Sequence, residues 1–156
     1  MGFGDHAAAD ARFTEALSKD ANFVDAYNGG GWSKAKLNTL SGAIASFSTG
    51  LGKDSANLEI RAGMAFVYNA QKDYSHSIQY ALAVLQGSST WAFTRDPTVS
   101  YSDLHLLLAE DYFAQADYAS SLQQVSLLDS AFNADVTTNS GQIALAQKIE
   151  QLKSTV

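Results

Sequence analysis

The sequence predicts an all-α fold built from repeated pairs of helices. Residues 9–17 carry small residues, then an aromatic residue, a small residue and a leucine. The same order recurs 34 residues later at 43–51, and in weaker form at 77–85. The chain holds a single proline, Pro97, among 156 residues, which suits helices because proline interrupts them. Hydrophobic residues make up 46% of the chain, enough for a sizeable core in one domain of this length.

Apolar residues at helical spacing, separated by polar turn residues, predict eight helices in order along the chain. These helices lie at 5–18, 23–36, 40–52, 57–71, 74–86, 101–115, 118–129 and 140–154. Residues 64–68 and 108–112 align with an offset of 44 rather than 34. An insertion at 87–100 therefore separates two copies of the same unit.

The last predicted helix, at 140–154, carries apolar residues at helical spacing, among them Leu145 and Ile149. Asn139 and Ser140 stand where a side chain caps the first turn of a helix. We expect the apolar stripe to close the end of the array and the polar face to meet water.

Residues 5–130 resemble the tetratricopeptide-repeat family, on the period of 34 and on the recurring order of small, aromatic and leucine residues. The resemblance implies a right-handed α-α superhelix of helical hairpins with a concave face. It also implies a single domain over 1–156: a half repeat, three repeats, the insertion and a capping helix. Their ranges are 5–20, then 23–54, 57–86 and 101–130, with the insertion at 87–100 and the cap at 140–154.

This sequence departs from the family at the proline that ends each unit, where Ala21, Ser55 and Ser89 stand instead. A second departure is Gly30, which occupies a position where the family has a large apolar residue.

Three consecutive glycines at 29–31 fall inside a predicted helix, where together they cost about 2–3 kcal/mol relative to alanine. One interpretation is close packing against the preceding helix. The other is a phosphate-binding loop, which requires a preceding strand and a basic residue at a set spacing. The sequence from Asn28 to Lys34 has neither, so we favour packing.

The front of the array contains only the second helix of a unit. Without a first helix, Ala7, Ala11 and Phe13 would leave apolar surface uncovered. A structural module that pairs with a second copy through this end, a homo-oligomer, is therefore the alternative to a binding scaffold.

No catalytic or metal site is predicted, and no cofactor. The chain has no cysteine, and its three histidines, His6, His76 and His105, are far apart in sequence. Glu110 and Asp111 are adjacent, so on a helix their side chains point about 100° apart and do not act as a catalytic pair. Serine occurs in no nucleophile motif. We expect a protein that is not an enzyme.

Charge and hydropathy exclude two classes of partner. Ten basic residues against sixteen acidic ones give a net charge of -6, which disfavours nucleic acid. No stretch reaches the roughly 18 apolar residues of a membrane helix, so direct membrane insertion of this chain is not expected.

The resemblance implies that the first helix of each unit lines a concave groove that binds a protein or peptide. Helical spacing along those helices selects a set of candidate groove residues. They are Asn28, Trp32, Lys36, Phe66, Asn69, Leu106, Glu110 and Phe113. The family's carboxylate clamp needs basic residues that this set lacks, so an extended apolar or weakly basic segment fits better. Packing of the aromatics against the last helix or the insertion accounts for them equally well.

The insertion alternates aromatic and small polar residues, which predicts a short extended segment or a hairpin. Trp91 and Phe93 either tuck this segment onto the repeats or, with Arg95, contribute to a ligand site.

Few lysines and arginines with many serine, threonine, asparagine and glutamine residues suit a secreted or periplasmic protein. The repeat at Tyr27 to Trp32, followed by a long aromatic insertion, is similar to the repeats of bacterial envelope lipoproteins with tetratricopeptide repeats. We therefore expect the periplasm or cell envelope rather than the cytoplasm, and an anchor outside these residues.

Overall fold

The computed structural model describes residues 5–155, which form eight helices and one β-hairpin. In chain order these are α1 (His6–Lys19), α2 (Val24–Lys36), α3 (Leu40–Lys53), α4 (Leu58–Ala70), α5 (Tyr74–Gly87), β1 (Ala92–Phe93), β2 (Asp96–Ser100), α6 (Tyr101–Ala114), α7 (Tyr118–Leu128) and α8 (Asn139–Lys153). The predicted all-α fold is confirmed, and each predicted helix boundary lies within one residue of the observed one.

The chain divides into two compact units, Met1–Lys72 and Asp73–Val156, called unit 1 and unit 2 below. Unit 1 holds α1 to α4 around a core that includes Phe47, Ile60 and Met64, while unit 2 holds the hairpin and α5 to α8. The single domain over 1–156 stays a prediction.

Three turns with the same backbone conformation confirm the repeat register. Asn38, Lys72 and Ala116 have φ values of 57°, 62° and 61°, the left-handed region that residues with a Cβ seldom adopt. They follow α2, α4 and α6, and their spacings are the 34 and 44 residues found in the sequence.

Aspartates end the second helices where the family uses proline. The Asp20, Asp54 and Asp129 carboxylates each accept a hydrogen bond from the N–H two residues ahead, over 2.8, 3.2 and 3.0 Å. Such a turn, closed by an aspartate side chain, stops a helix without proline. This explains how the chain tolerates Ala21 and Ser55 at the family's proline positions.

The insertion folds as a hairpin, one of the two forms that the sequence predicts, with β1 and β2 antiparallel and Ala92 opposite Ser100. Ser100 then caps α6 in a reciprocal capping box with Asp103. At α8, the expected cap at Asn139 or Ser140 is wrong by one residue. The Thr138 hydroxyl accepts the Gly141 N–H over 3.1 Å, because Asn139 is already the first residue of the helix.

Candidate binding surface

Two phenylalanines seated against glycines hold the helices of unit 1 together. A Cβ added at Gly29 would overlap the ring of Phe13 from α1, and one added at Gly31 would overlap the ring of Phe47 from α3. The same Phe47 ring also occupies the space beside Gly63 of α4. The packing interpretation of the glycine run is therefore correct, although the glycines admit aromatic rings from two different helices rather than one backbone.

Trp32 lies directly on this packed core. Its ring meets the fully buried Phe47 edge-on, with 6.0 Å between ring centroids, and meets Phe66 of α4 at 5.9 Å. Trp32 and Phe66 are themselves half-buried. The glycine-seated Phe47 thus supports an aromatic pair that presents part of its surface to solvent.

Asn28 lies one helical turn before Trp32, on the same side of α2. Its side-chain Nδ2 donates to the Glu59 carboxylate of α4 over 2.7 Å. The residue is only 1% exposed, and within the described chain no donor reaches its Oδ1. We call the surface formed by Asn28, Trp32, Glu59 and Phe66 the α2–α4 face.

Two further predicted residues border this face. Asn69, one turn beyond Phe66, is half-buried, and Lys36, one turn beyond Trp32, is exposed. Five of the eight predicted groove residues therefore lie on α2 and α4, within unit 1.

The remaining three, Leu106, Glu110 and Phe113, lie beside α8 within unit 2. Leu106 is 7% exposed in a cluster with Leu145 and Ile149 of α8, so its side chain offers little surface to a groove ligand. Glu110 and Phe113 are half-buried, and their place in a groove stays a prediction.

An ion pair fastens α8 to α6. Lys153 of α8 lies 2.6 Å from the Glu110 carboxylate. The hydrogen bond to Glu110 is the largest cause that raises the pKa of Lys153, and the charge of Glu110 adds to it.

The insertion buries its aromatics. Trp91 is 5% exposed and Phe93 is 7% exposed, whereas Arg95 is exposed. The Trp91 carbonyl accepts the Tyr101 N–H over 2.7 Å, which ties the hairpin to the start of α6. This geometry favours tucking over ligand contact for the two rings.

The front helix exposes small side chains. Ala7 and Ala11 are exposed and Phe13 is half-buried beside Gly29. The expected uncovered apolar surface is thus formed by alanines. Pairing with a second copy through this helix stays a prediction, tested by sedimentation over a concentration series.

Glu59 lies seven residues before Phe66, and helical spacing places both on one face of α4. Its hydrogen bond with Asn28 spans 31 residues, so no local pattern joins these two side chains.

Across residues 5–155, no group of three histidine, aspartate or glutamate side chains is arranged to hold a metal ion. Within the same residues, no helix combines the length and the apolar character needed to cross a membrane.

Comparison with known proteins identifies the fold. No protein-family model and no curated protein sequence matches the chain. Among solved structures, the crystal structure of MamA is similar with a TM-score of 0.72 and 12% identity, over 97% of this chain and 91% of that one. A tetratricopeptide repeat protein from Parabacteroides merdae ATCC 43184 is similar with a TM-score of 0.68 and 12% identity. That match covers 97% of this chain, which spans 55% of the Parabacteroides chain. On these grounds, the chain has the helical-repeat fold of tetratricopeptide-repeat proteins.

Proposed function

We propose that the protein is a non-catalytic scaffold that binds a protein or peptide through the α2–α4 face. The observation that carries the proposal is the half-buried pair of Trp32 and Phe66, held 5.9 Å apart on a rigid core. Tryptophan is prominent among residues that dominate binding energy, since its large ring buries much area at little conformational cost.

The burial of the other aromatic residues supports the choice of the α2–α4 face as the binding surface. Trp91 and Phe93 are buried by the hairpin. Phe113 is half-buried and packs against the cluster beside α8. Trp32 and Phe66 retain accessible area, so a partner gains apolar burial by covering them.

The polar residues of the face argue against the family's carboxylate clamp. Asn28 would have to donate its Nδ2 to a ligand carboxylate, but one N–H of that group is already donated to Glu59 and the residue is only 1% exposed. The Glu59 charge also opposes a second carboxylate nearby. An apolar or weakly basic segment is the better ligand.

A quantitative pull-down from the native source tests the proposal. The wild-type chain is compared with a Trp32→Ala/Phe66→Ala variant and with Leu127→Ala, which truncates a residue 66% exposed in unit 2. We expect the partner to be lost with the double variant and kept with Leu127→Ala. A partner retained equally by all three contradicts the proposal.

Stability has to be controlled, because Trp32 also packs on Phe47. Thermal unfolding of each variant supplies that control. Phe66→Ala alone, which leaves the contact between Trp32 and Phe47 in place, provides a milder version of the test if the double variant unfolds.

We also propose a location in the cell envelope, which the low content of basic residues supports. Sequencing the parent gene upstream of Gly2 tests it, and a gene that encodes neither a signal sequence nor a lipidation cysteine contradicts it.

A further inference from the structure

We infer that α1 pairs with the α1 of a second copy of this chain, antiparallel across a two-fold axis, so that Arg12 of each copy meets Asp5 of the other. The pairing surface is one side of α1 and shares no residue with the α2–α4 face. The inference therefore stands or falls independently of the proposed function.

The repeat shows which side of a second helix is normally covered. In the repeat register, Ala9 of α1 corresponds to Ala43 of α3 and to Ser121 of α7. Ala43 and Ser121 are completely buried, since α3 packs on α2 and α7 packs on α6. Ser121 also donates its hydroxyl to the Ala109 carbonyl of α6 over 2.7 Å. Ala9, by contrast, keeps accessible surface, so this side of α1 is available to another helix.

Small side chains dominate the available side. Ala8 is exposed beside Ala9, and together with Phe13 these residues line a depression on the surface of α1. Alanines let two helix axes approach more closely than larger side chains do, and covering the depression removes apolar surface from water. These properties suit a helix as the occupant, but they do not choose which helix.

Two opposite charges choose the occupant. Asp5 and Arg12 also line the depression, and because they are seven residues apart they lie two turns apart on one side of α1. Both residues are exposed. Asp5 caps α1 by accepting the Ala8 N–H at Oδ1 over 3.0 Å, which leaves Oδ2 for a second donor. Within residues 5–155, the Arg12 guanidinium forms no ion pair or hydrogen bond, so each copy offers one acid and one base on the same side.

An antiparallel pair of α1 helices brings these charges together twice. With the two-fold axis at the level between Ala8 and Ala9, residues equally distant from the axis along the two helices face each other. Asp5 and Arg12 are equally distant from that level, so each Arg12 lies opposite Asp5 of the partner subunit. A parallel pair would instead set like charges against each other. Because the contact is isologous, it closes as a dimer.

The dimer should be weak. A contact between two single helices is smaller than the about 1,200 Å² buried in stable interfaces, and exposed ion pairs add little net energy. The role of the charges is to fix orientation and register and to oppose other pairings. We therefore expect monomers at about 10 µM and a growing fraction of dimer toward about 1 mM.

Sedimentation equilibrium of the full chain over this concentration range tests the inference with two charge reversals. Arg12→Glu places an acid opposite Asp5 of the partner subunit, and Asp5→Lys places a base opposite Arg12 of the partner subunit. Each variant alone should have a dissociation constant raised about tenfold or more, because like charges then face each other twice. An equimolar mixture of the two variants should recover the dimer, since both contacts then join opposite charges.

Lys72→Glu is the matched control, because it makes the same change in net charge at an exposed residue of unit 1 and should dimerise as the wild type does. Asp5→Lys also removes the helix cap, so circular dichroism checks its helix content. Arg12→Glu keeps the cap and decides the test if α1 frays in Asp5→Lys. The inference is overturned by a wild-type chain that stays monomeric at about 1 mM or by unchanged dimerisation of Arg12→Glu. Equal weakening in Lys72→Glu, or a monomeric mixture of two folded variants, would overturn it as well.

Discussion

The two units fill equivalent positions of the repeat in opposite ways. In unit 1, glycine stands at position 63 and Phe47 supplies the ring that occupies the space beside it. In unit 2 the repeat register places Leu107 at the position of Gly63, and Ala81 at that of Phe47. All four residues are buried. In the repeat register, large and small residues have exchanged places, as expected if the repeat conserves the combined volume of the two residues rather than the identity of either.

The same comparison applies to the face of the first helices. The position of Trp32 and Phe66 in unit 1 corresponds to Glu110 in unit 2, and the position of Asn28 corresponds to Leu106. Leu106 packs beneath α8 and Glu110 pairs with Lys153 of that helix. A covered face thus carries a leucine and an ion-paired acid, whereas the face proposed for binding carries half-buried aromatics.

The largest expected effect follows from removing the ring that the glycines accommodate. Phe47→Ala should lower the free energy of unfolding by about 3–5 kcal/mol, the usual loss for a buried phenylalanine. Gly31 and Gly63 have no side chains that could move into the space. Urea unfolding measures the loss.

Leu127→Ala is the control for this change and should stay within about 0.5 kcal/mol of the wild type, since it alters an exposed residue. A double variant, Phe47→Ala/Gly63→Leu, imitates unit 2 and should recover part of the loss. If the double variant is no more stable than Phe47→Ala alone, the idea that a large residue at position 63 replaces the volume of the Phe47 ring is contradicted.

Glycine substitutions give the next largest effect and separate two roles of glycine in unit 1. Gly63→Ala places a methyl group into the Phe47 ring and should cost about 1–3 kcal/mol, as overpacked cores do. Gly52→Ala in α3 meets nothing within 4 Å and should instead stabilise by about 0.5–1 kcal/mol through helix propensity. Equal changes in stability for Gly63→Ala and Gly52→Ala, measured by thermal unfolding, would refute the conclusion that Gly63 makes room for the Phe47 ring.

A smaller effect is expected at the left-handed turns. Ala116→Gly in unit 2 relieves an alanine at φ 61°, and after the entropy cost of glycine it should stabilise by about 0.5 kcal/mol. Ala45→Gly, in the exposed middle of α3, is the opposite case and should destabilise by about 1 kcal/mol. Chemical denaturation of both variants checks the signs.

The smallest expected effect is on how stability falls at acidic pH. In unit 2 the hydrogen bond from Lys148, 2.6 Å away, is the main cause that lowers the pKa of Asp129, with the Ala131 N–H second. A carboxyl whose pKa is lower in the folded state stabilises above its unfolded pKa of about 4. That contribution disappears as pH falls through the folded value.

Asp129→Asn keeps the turn acceptor and removes the charge. Its urea midpoint should therefore fall less steeply than that of the wild type between pH 4 and pH 2. Parallel curves for the two proteins would contradict the role of the ion pair with Lys148.

Local patterns predicted most of the fold. The period of 34, the apolar spacing and the polar turns placed the ends of eight helices within one residue, since these signals act between near neighbours. The turns closed by Asp20 and Asp54 are also local, since each aspartate directly precedes the residue that replaces the family's proline. The glycine run predicted close packing without showing that two different helices supply the rings.

The candidate site was predicted only in part, because its decisive contacts are distant in sequence. Helical spacing placed Asn28, Trp32 and Phe66 on one face, yet the bond from Asn28 to Glu59 spans 31 residues. Likewise, nothing local to α6 shows that α8 packs against Leu106 and Phe113. A helical face indicates which residues are apolar, and tertiary packing decides whether another helix or a partner meets them.

Two tryptophans in two units provide the most direct test of the central claim, that a partner binds the α2–α4 face. Trp91→Phe leaves only Trp32 to report on unit 1, and Trp32→Phe leaves only Trp91, which is 5% exposed in unit 2. Each variant is titrated with a tryptophan-free peptide from the partner recovered in the pull-down while tryptophan emission and its quenching by acrylamide are recorded. Binding at the α2–α4 face should shift the emission of Trp32 and protect it from acrylamide, while the emission of Trp91 stays unchanged. A response from Trp91 with none from Trp32 would contradict it.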